Sequence, residues 1–151
     1  MPMSQLPPSL ISLLVVALAL VGCQRDVSLS DESASAPAQI KLAGEGEPAV
    51  ELVVNYGDGA EKRFTRIPIA EGMTVLGALQ FAADHPRGIT FQKSGSGEAA
   101  LLTKLDDLTN QGGGDDKNWI YRVNGKLASK SFDAYVLAPG DVILWRFEEY
   151  E

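Results

Sequence analysis

The single cysteine of this 151-residue chain, Cys23, excludes an internal disulfide, so any folded part must be held together by an apolar core. Cys23 directly follows an uncharged apolar run, LISLLVVALALV, at residues 10–21. About a dozen apolar residues are too few for a helix that spans a bilayer, which needs roughly 20. A run of this length is typical of the core of a secretory signal peptide. We therefore predict a signal peptide at residues 1–22.

The four residues Leu20, Val21, Gly22 and Cys23 resemble the bacterial lipobox. The resemblance implies cleavage before Cys23, a diacylglycerol on its thiol and an acylated amino terminus, with palmitate as a typical chain. Two or three acyl chains anchor a protein stably to a membrane. The alternative is a buried thiol at the end of a hydrophobic segment, but polar residues follow at once. We expect a lipoprotein of the bacterial cell envelope, with its folded domain on the non-cytoplasmic side.

The sequence after Cys23 changes composition near residue 49. Residues 24–48 are rich in Ser, Ala, Glu, Gly and Pro and poor in aromatic residues, so they cannot bury enough apolar surface to order themselves. As a flexible linker they would have a reach of roughly 25 to 30 Å; a short strand at residues 40–42 is the alternative. The predicted organisation is a signal peptide at 1–22, lipidated Cys23 and linker at 23–48, and one domain at 49–151.

Hydrophobic periodicity in the domain predicts several strands around one helix. Thr74 can cap a helix that ends at Asp84, with Gly77 inside it indicating close packing against a sheet. Pro68 places the second strand at an edge or near its end, because proline cannot donate to the ladder. Asn124 and Gly125 are a strong hairpin signal. The predicted strands include residues 50–56, 62–69, 89–93 and 99–105, and a loop is predicted at 110–118.

Two motifs near the carboxyl terminus carry a family resemblance. WIYRVNGK at residues 119–126 is followed by PGDVILW at residues 139–145, and GMTVLGAL at residues 72–79 precedes both. This order resembles the transcobalamin-like C-terminal domain, found at the end of vitamin B12 carriers and alone in bacterial exported proteins as a domain of unknown function. The resemblance covers about residues 52–147. It implies an α+β fold: a β-grasp-like (ubiquitin-like) mixed sheet with one helix.

The resemblance also implies a binding surface. Carriers of this family hold cobalamin between this small domain and a large helical barrel, which this chain does not contain. Trp119, Tyr121, Tyr135, Trp145 and the Asn124-Gly125 turn match positions of the family motif. The predicted ligand-binding residues are Asn118, Trp119, Tyr121, Asn124 and Tyr135, because an Asn amide beside aromatic rings can orient a polar edge of a ligand. An alternative stays open, in which Trp119, Tyr121 and Trp145 fill the core face of the sheet. Trp119, Tyr121 and Val123 alternate along one strand, so they share one face of it.

Composition and motifs exclude several other classes of function. The chain has 20 acidic and 13 scattered basic residues, a net charge of −7, which disfavours nucleic-acid binding. His85 is the only histidine and the domain has no cysteine, so a zinc site is not expected. The acid pairs Asp106-Asp107 and Asp115-Asp116 do not have the spacing of a calcium-binding EF-hand loop. No GxSxG motif is present, and we predict no catalytic residues and no enzyme activity.

Two hypotheses of different classes therefore remain. The first is a non-catalytic binding domain at the cell envelope that takes a corrinoid such as cobalamin, or another cofactor-sized molecule, alone or with an exported protein partner. The second is a structural or protein-interaction domain with no small-molecule ligand. In both, the lipid anchor on Cys23 makes the membrane a partner.

Overall fold

The apolar stretches of the domain form strands around one helix, as the sequence predicts. The computed structural model describes residues 40–113 and 116–150. Within them the elements are β1 (Ala49–Asn55), β2 (Glu61–Pro68), α1 (Val75–Asp84), β3 (Phe91–Ser94), a 3-10 turn (Gly97–Ala99), β4 (Leu101–Leu105), β5 (Leu108–Thr109), β6 (Lys117–Val123), β7 (Lys126–Leu127) and β8 (Val142–Glu149).

The strands form two sheets. The larger has the order β2-β1-β8-β6-β7, in which the central β1 and β8 are parallel and the other neighbours antiparallel. The smaller is the antiparallel sheet β3-β4-β5. The predicted fold class, α+β with one helix and a mixed, β-grasp-like sheet, is confirmed. Pro68 is the last residue of the edge strand β2, as predicted.

The core lies on one face of the larger sheet. Opposite residues of β6 and β8 pair as Trp119 with Phe147, Tyr121 with Trp145 and Val123 with Ile143, and all six are buried. Such directly opposed pairs are the unit by which sheets are stabilised. Trp145 is only 2% exposed, and its ring lies 4.8 Å from that of Tyr121 and 5.5 Å from that of Phe132. The aromatic residues of the sequence motif therefore lie inside the fold.

Helix α1 adds the second layer of the core. Val75, Ala78, Leu79 and Ala82 are fully buried, the spacing of one helical face. Thr74 occupies the N-cap, but its side chain makes no capping hydrogen bond, and its backbone forms a bridge with Val136 instead. The inference from Gly77 was wrong: an added Cβ would meet the side chain of Met73 at 3.0 Å, so the close contact is with the preceding turn.

Several local boundaries differ from the prediction. Ala99, the predicted start of a strand, is the last residue of the 3-10 turn, β3 begins at Phe91 rather than at residue 89, and β6 begins at Lys117 inside the predicted loop. Residues 40–42 form no strand. Ala43 is nevertheless buried, and its N–H donates to the carbonyl of Arg66 at 2.9 Å. The chain thus contacts the edge strand β2 several residues before β1 begins.

The predicted signal peptide, Cys23 and most of the predicted linker lie outside the described residues. In the part of the chain that is described, no helix is long and apolar enough to cross a membrane.

Candidate functional site

A groove separates β4 of the smaller sheet from β6 and β7 of the larger one. It has a volume of about 280 Å³. Its exposed walls are the side chains of Leu101, Leu127 and Tyr150, of which Leu101 is 56% and Leu127 47% exposed. Both tryptophans and Tyr121 also line it. The groove therefore combines exposed aliphatic walls with buried aromatic rings, as small-molecule sites commonly do.

The edge of β6 that borders the groove has two backbone groups without partners. The N–H of Trp119 donates to Asn110 Oδ1 at 2.8 Å, and the carbonyl of Tyr121 accepts from the N–H of Ala128 at 3.2 Å. Strand β7 is too short to cover the rest, because it pairs only with Arg122 and Val123. Consequently the carbonyl of Trp119 and the N–H of Tyr121 have no hydrogen-bond partner among the described residues. They can accept from and donate to a bound molecule.

The indole N–H of Trp145 is a third unpartnered group at the groove. Its Nε1 is buried and makes no hydrogen bond within the described residues. Trp119, by contrast, donates its Nε1–H to the carbonyl of Leu108 at 3.0 Å. Buried donors in native proteins are almost always paired. This donor lies beneath the surface of the groove and is closed off from a molecule resting there.

The structure places two of the five predicted ligand residues at the groove. Trp119 and Tyr121 line it, but both are buried on the core face, which is the alternative that the sequence left open. The hydroxyl of Tyr121 donates to the carbonyl of Lys130 at 2.5 Å, and Tyr135 packs edge-on against its ring at 6.3 Å. Burial, with Tyr135 and Glu98 nearby, raises the pKa of Tyr121 well above its usual value. Tyr121 is thus a fixed, neutral donor.

The two predicted asparagines lie apart from each other. Asn118 and Asn124 stand near opposite ends of β6, roughly 20 Å apart at 3.3 Å per residue. The amide of Asn118 donates to the carbonyl of Gly112 at 2.7 Å and holds the preceding loop. That of Asn124 donates to Asp141 Oδ1 at 2.8 Å and accepts from the N–H of Val142 at 2.9 Å. Both side chains are engaged in fixing turns.

A polar cluster around Asp106 was not anticipated from the sequence. Its Oδ2 accepts from the hydroxyl of Tyr56 at 2.5 Å and from Lys62 Nζ at 2.9 Å, and its Oδ1 accepts from the N–H of Thr90 at 2.8 Å. Burial disfavours the charged form, but these donors outweigh burial and hold the pKa of Asp106 below its usual value. Burial, and then the hydrogen bond to Asp106, raise the pKa of Tyr56. The carboxylate joins the β1–β2 hairpin to the smaller sheet.

The described part of the chain contains no group of three or more His, Cys, Asp or Glu side chains placed to hold a metal ion. Asp116 lies among the described residues, whereas its predicted partner Asp115 lies outside them.

Comparison with known families decides where this fold belongs. A family described as "Domain of unknown function (DUF4430)" matches residues 72–149, just over half of the chain. The chain belongs to the DUF4430 family. The matched range runs from the residues before α1 to the end of β8, so it includes every strand that borders the groove.

Fifteen solved chains are significantly similar to this DUF4430 protein. One is a crystal structure of a protein from Ruminococcus gnavus ATCC 29149 described as a "putative metal binding protein". It is 16% identical, with a TM-score of 0.55 over 70% of this chain and 100% of the other. The likeness shows a shared fold. No curated protein matches significantly.

Proposed function

We propose that this DUF4430 protein is a lipid-anchored protein of the cell envelope whose domain is a non-catalytic binding domain of the transcobalamin-like kind. Its ligand, a corrinoid such as cobalamin or another cofactor-sized molecule, would lie across the groove between β4 and β6. The groove itself is the observation that carries the proposal. It sets exposed Leu101 and Leu127 beside unpartnered backbone hydrogen-bonding groups of Trp119 and Tyr121.

The size of the groove argues for weak binding by this domain alone. Ligand pockets usually enclose about 300 to 1,000 Å³ and bury most of the ligand surface. At about 280 Å³ and open on one side, this groove would cover only one edge of a cofactor-sized molecule. An exported partner domain on the other side of the ligand would close the site.

The polar groups near the core support a non-catalytic role. Asp106, the carboxylate with a lowered pKa, is occupied by donors from Tyr56, Lys62 and Thr90 and lies outside the residues that line the groove. Tyr121 lines the groove, but its hydroxyl is committed to Lys130. A general base needs an available lone pair near the substrate. The groove therefore favours recognition over catalysis.

The second candidate, a protein-interaction domain, is favoured by one specific observation. The carbonyl of Trp119 and the N–H of Tyr121 form the kind of open strand edge to which an extended peptide adds by β-augmentation. Leu101 and Leu127 would then receive apolar side chains of the peptide.

A titration distinguishes the two candidates. Both tryptophans of the chain line the groove, so their emission responds directly to an occupant. We expect cyanocobalamin to quench the full-length protein in mild detergent at micromolar concentrations, beyond the absorbance effect seen with free tryptophan. Leu101→Glu should weaken the response about tenfold, because it puts a charge on the apolar wall.

Val136→Glu is the matched control. Val136 is 58% exposed, like Leu101, but does not line the groove, so its substitution should leave the titration unchanged. No response at high micromolar cobalamin would favour the protein-interaction candidate. Equal weakening by both variants would place the ligand away from the groove.

A further inference from the structure

A second cavity lies at the opposite edge of the larger sheet, between β2 and α1. Its volume is about 280 Å³. It has a cationic side, with Lys62, Arg63 and Arg87, and an apolar side, with Leu42 and Phe81. The imidazole of His85 also lines it. No acidic side chain lines it, although the whole chain has a net charge of −7. This basic pocket is therefore an exception on an acidic protein.

The cations of the basic pocket remain accessible. Lys62 pairs with Asp106 at 2.9 Å, and Arg63 pairs with Glu51 and Glu61, yet the two basic side chains are 41% and 52% exposed. The side chain of Arg87 forms no ion pair with any described residue. Its backbone N–H donates to His85 Nδ1 at 3.1 Å, which fixes the turn after α1. A guanidinium without an ion-pair partner is suited to a phosphate group.

The apolar side of the pocket is also exposed. Leu42 is one of the few large apolar side chains that face solvent within residues 40–113 and 116–150, and Phe81 is only partly buried. Cations beside exposed apolar side chains match the boundary between the headgroups and acyl chains of an anionic membrane.

The path of the chain places this pocket next to the predicted tether. Leu42 lines the pocket, and Ala43 joins β2 through Arg66. Eighteen residues separate Cys23 from Leu42. A linker of that length would have a reach of roughly 20 to 25 Å. A lipid on Cys23 would hold this edge of the domain within about one domain diameter of the bilayer.

We propose that the basic pocket is the membrane-docking face of the domain and binds the phosphate headgroups of anionic phospholipids. Its location rests on the lipid anchor proposed above, whereas its chemistry rests on its own charges. Because β2 and β7 are opposite edges of the larger sheet, docking through β2 would turn the groove beside β6 and β7 away from the membrane. The ligand site would then face incoming molecules.

The test uses the full-length protein reconstituted in vesicles, with acrylodan on a cysteine introduced in the pocket by Thr65→Cys. We expect a blue shift in phosphatidylcholine vesicles that contain phosphatidylglycerol, and none in phosphatidylcholine alone. Added salt should reverse the shift, because it screens exposed charges. A label at Lys126→Cys, at the opposite edge of the sheet, should respond to neither vesicle.

Charge reversal tests the residues themselves. Arg87→Glu should raise the phosphatidylglycerol fraction needed for half of the shift several-fold, since each basic residue near an anionic surface adds roughly fivefold to binding. Lys126→Glu changes the net charge equally and should have no effect.

Three outcomes would overturn the proposal. The first is an acrylodan shift that is equal in vesicles with and without phosphatidylglycerol, and the second is an equal effect of Arg87→Glu and Lys126→Glu. The third is loss of the shift when inorganic phosphate is added at constant ionic strength, which would identify a free anion as the occupant. The mass of the Cys23 peptide tests the lipid anchor separately, so failure of the anchor and failure of the pocket are distinguishable.

Discussion

Asp106 is the residue on which separate parts of the fold converge. It lies in the turn between β4 and β5 with a positive φ of 48°, a conformation that Asp and Asn tolerate best among non-glycine residues. From there its carboxylate receives Tyr56 at the end of β1, Lys62 in β2 and Thr90 before β3. An aspartate pair in a short turn suggests only a solvated loop; the three partners come from distant parts of the sequence.

Asp106→Asn tests this role at one atom, because Asn keeps the shape and tolerates the positive φ. We expect a loss of about 1 to 3 kcal/mol in the free energy of unfolding at pH 7. The pKa of Asp106 is lower in the folded state than its ordinary value of 3.8. The stabilisation that the Asp106 carboxylate provides is therefore complete at pH values well above 3.8. It is lost as the pH falls through 3.8 toward the lower pKa of the folded state.

Urea unfolding at several pH values measures the effect. The wild-type free energy of unfolding should fall between about pH 5 and pH 3 more steeply than that of Asp106→Asn. Asp107→Asn is the control, since Asp107 is exposed and its side chain makes no hydrogen bond or ion pair within the described residues. Parallel curves for wild type and Asp106→Asn would contradict the assigned role.

Among the elements, β6 contributes to the core, to the groove and to a turn. One face of it supplies Trp119, Tyr121 and Val123 to the core, one edge borders the groove, and its end turns into β7 through Asn124 and Gly125. Both turn residues have positive φ, 53° and 77°, the pattern of a type I′ hairpin turn. This turn fixes the register of β7 and hence the position of Leu127 at the groove.

Gly125→Ala tests how much this turn contributes. An added Cβ would meet no atom within 4 Å, so the cost comes from the left-handed backbone alone and should be about 1 to 2 kcal/mol in the free energy of unfolding. In Gly113→Ala the added Cβ is equally unobstructed but the φ is not positive, so little change is expected. Equal midpoints in urea for Gly125→Ala and Gly113→Ala would argue against the type I′ turn.

Local elements could be predicted from the sequence because their signals are local. The periodicity of α1, the β1–β2 hairpin, the edge position of Pro68 and the Asn124-Gly125 turn all agree with the structure. The burial of Trp119 and Tyr121 was an open alternative, because alternation shows which residues share a face but not whether that face is covered.

The groove could not be predicted. It depends on β4 and β6, which belong to different sheets, facing each other. No sequence motif around Leu101 or Leu127 indicates that these side chains line a groove. The parallel pairing of β1 with β8 joins residues about ninety positions apart, for which turn chemistry gives no signal. Likewise, the basic pocket arises only when the segment before β1 meets β2 and α1.

At the scale of the whole molecule, two surfaces lie at opposite edges of one sheet. The basic pocket is beside β2 and the apolar groove beside β6 and β7. A rigid sheet of five strands keeps them about 19 Å apart, at 4.8 Å per strand. A lipid anchor would orient the sheet relative to the membrane. The β2 edge would face the membrane, and the edge with β6 and β7 would face away from it. The orientation therefore depends on Cys23.

Cys23→Ser tests the anchor, because serine cannot form the thioether with diacylglycerol. We expect the wild-type protein to fractionate with membranes and its amino-terminal peptide to carry the added mass of two or three acyl chains. The variant should either keep residues 1–22 as an uncleaved precursor or leave the membrane fraction. Ser28→Ala, five residues further on, should behave like wild type.

If Cys23→Ser instead remains with membranes as a cleaved chain of the same mass as the wild type, the anchor is not on Cys23. The basic pocket would then have to bind the membrane without the increase in effective concentration that a tether supplies.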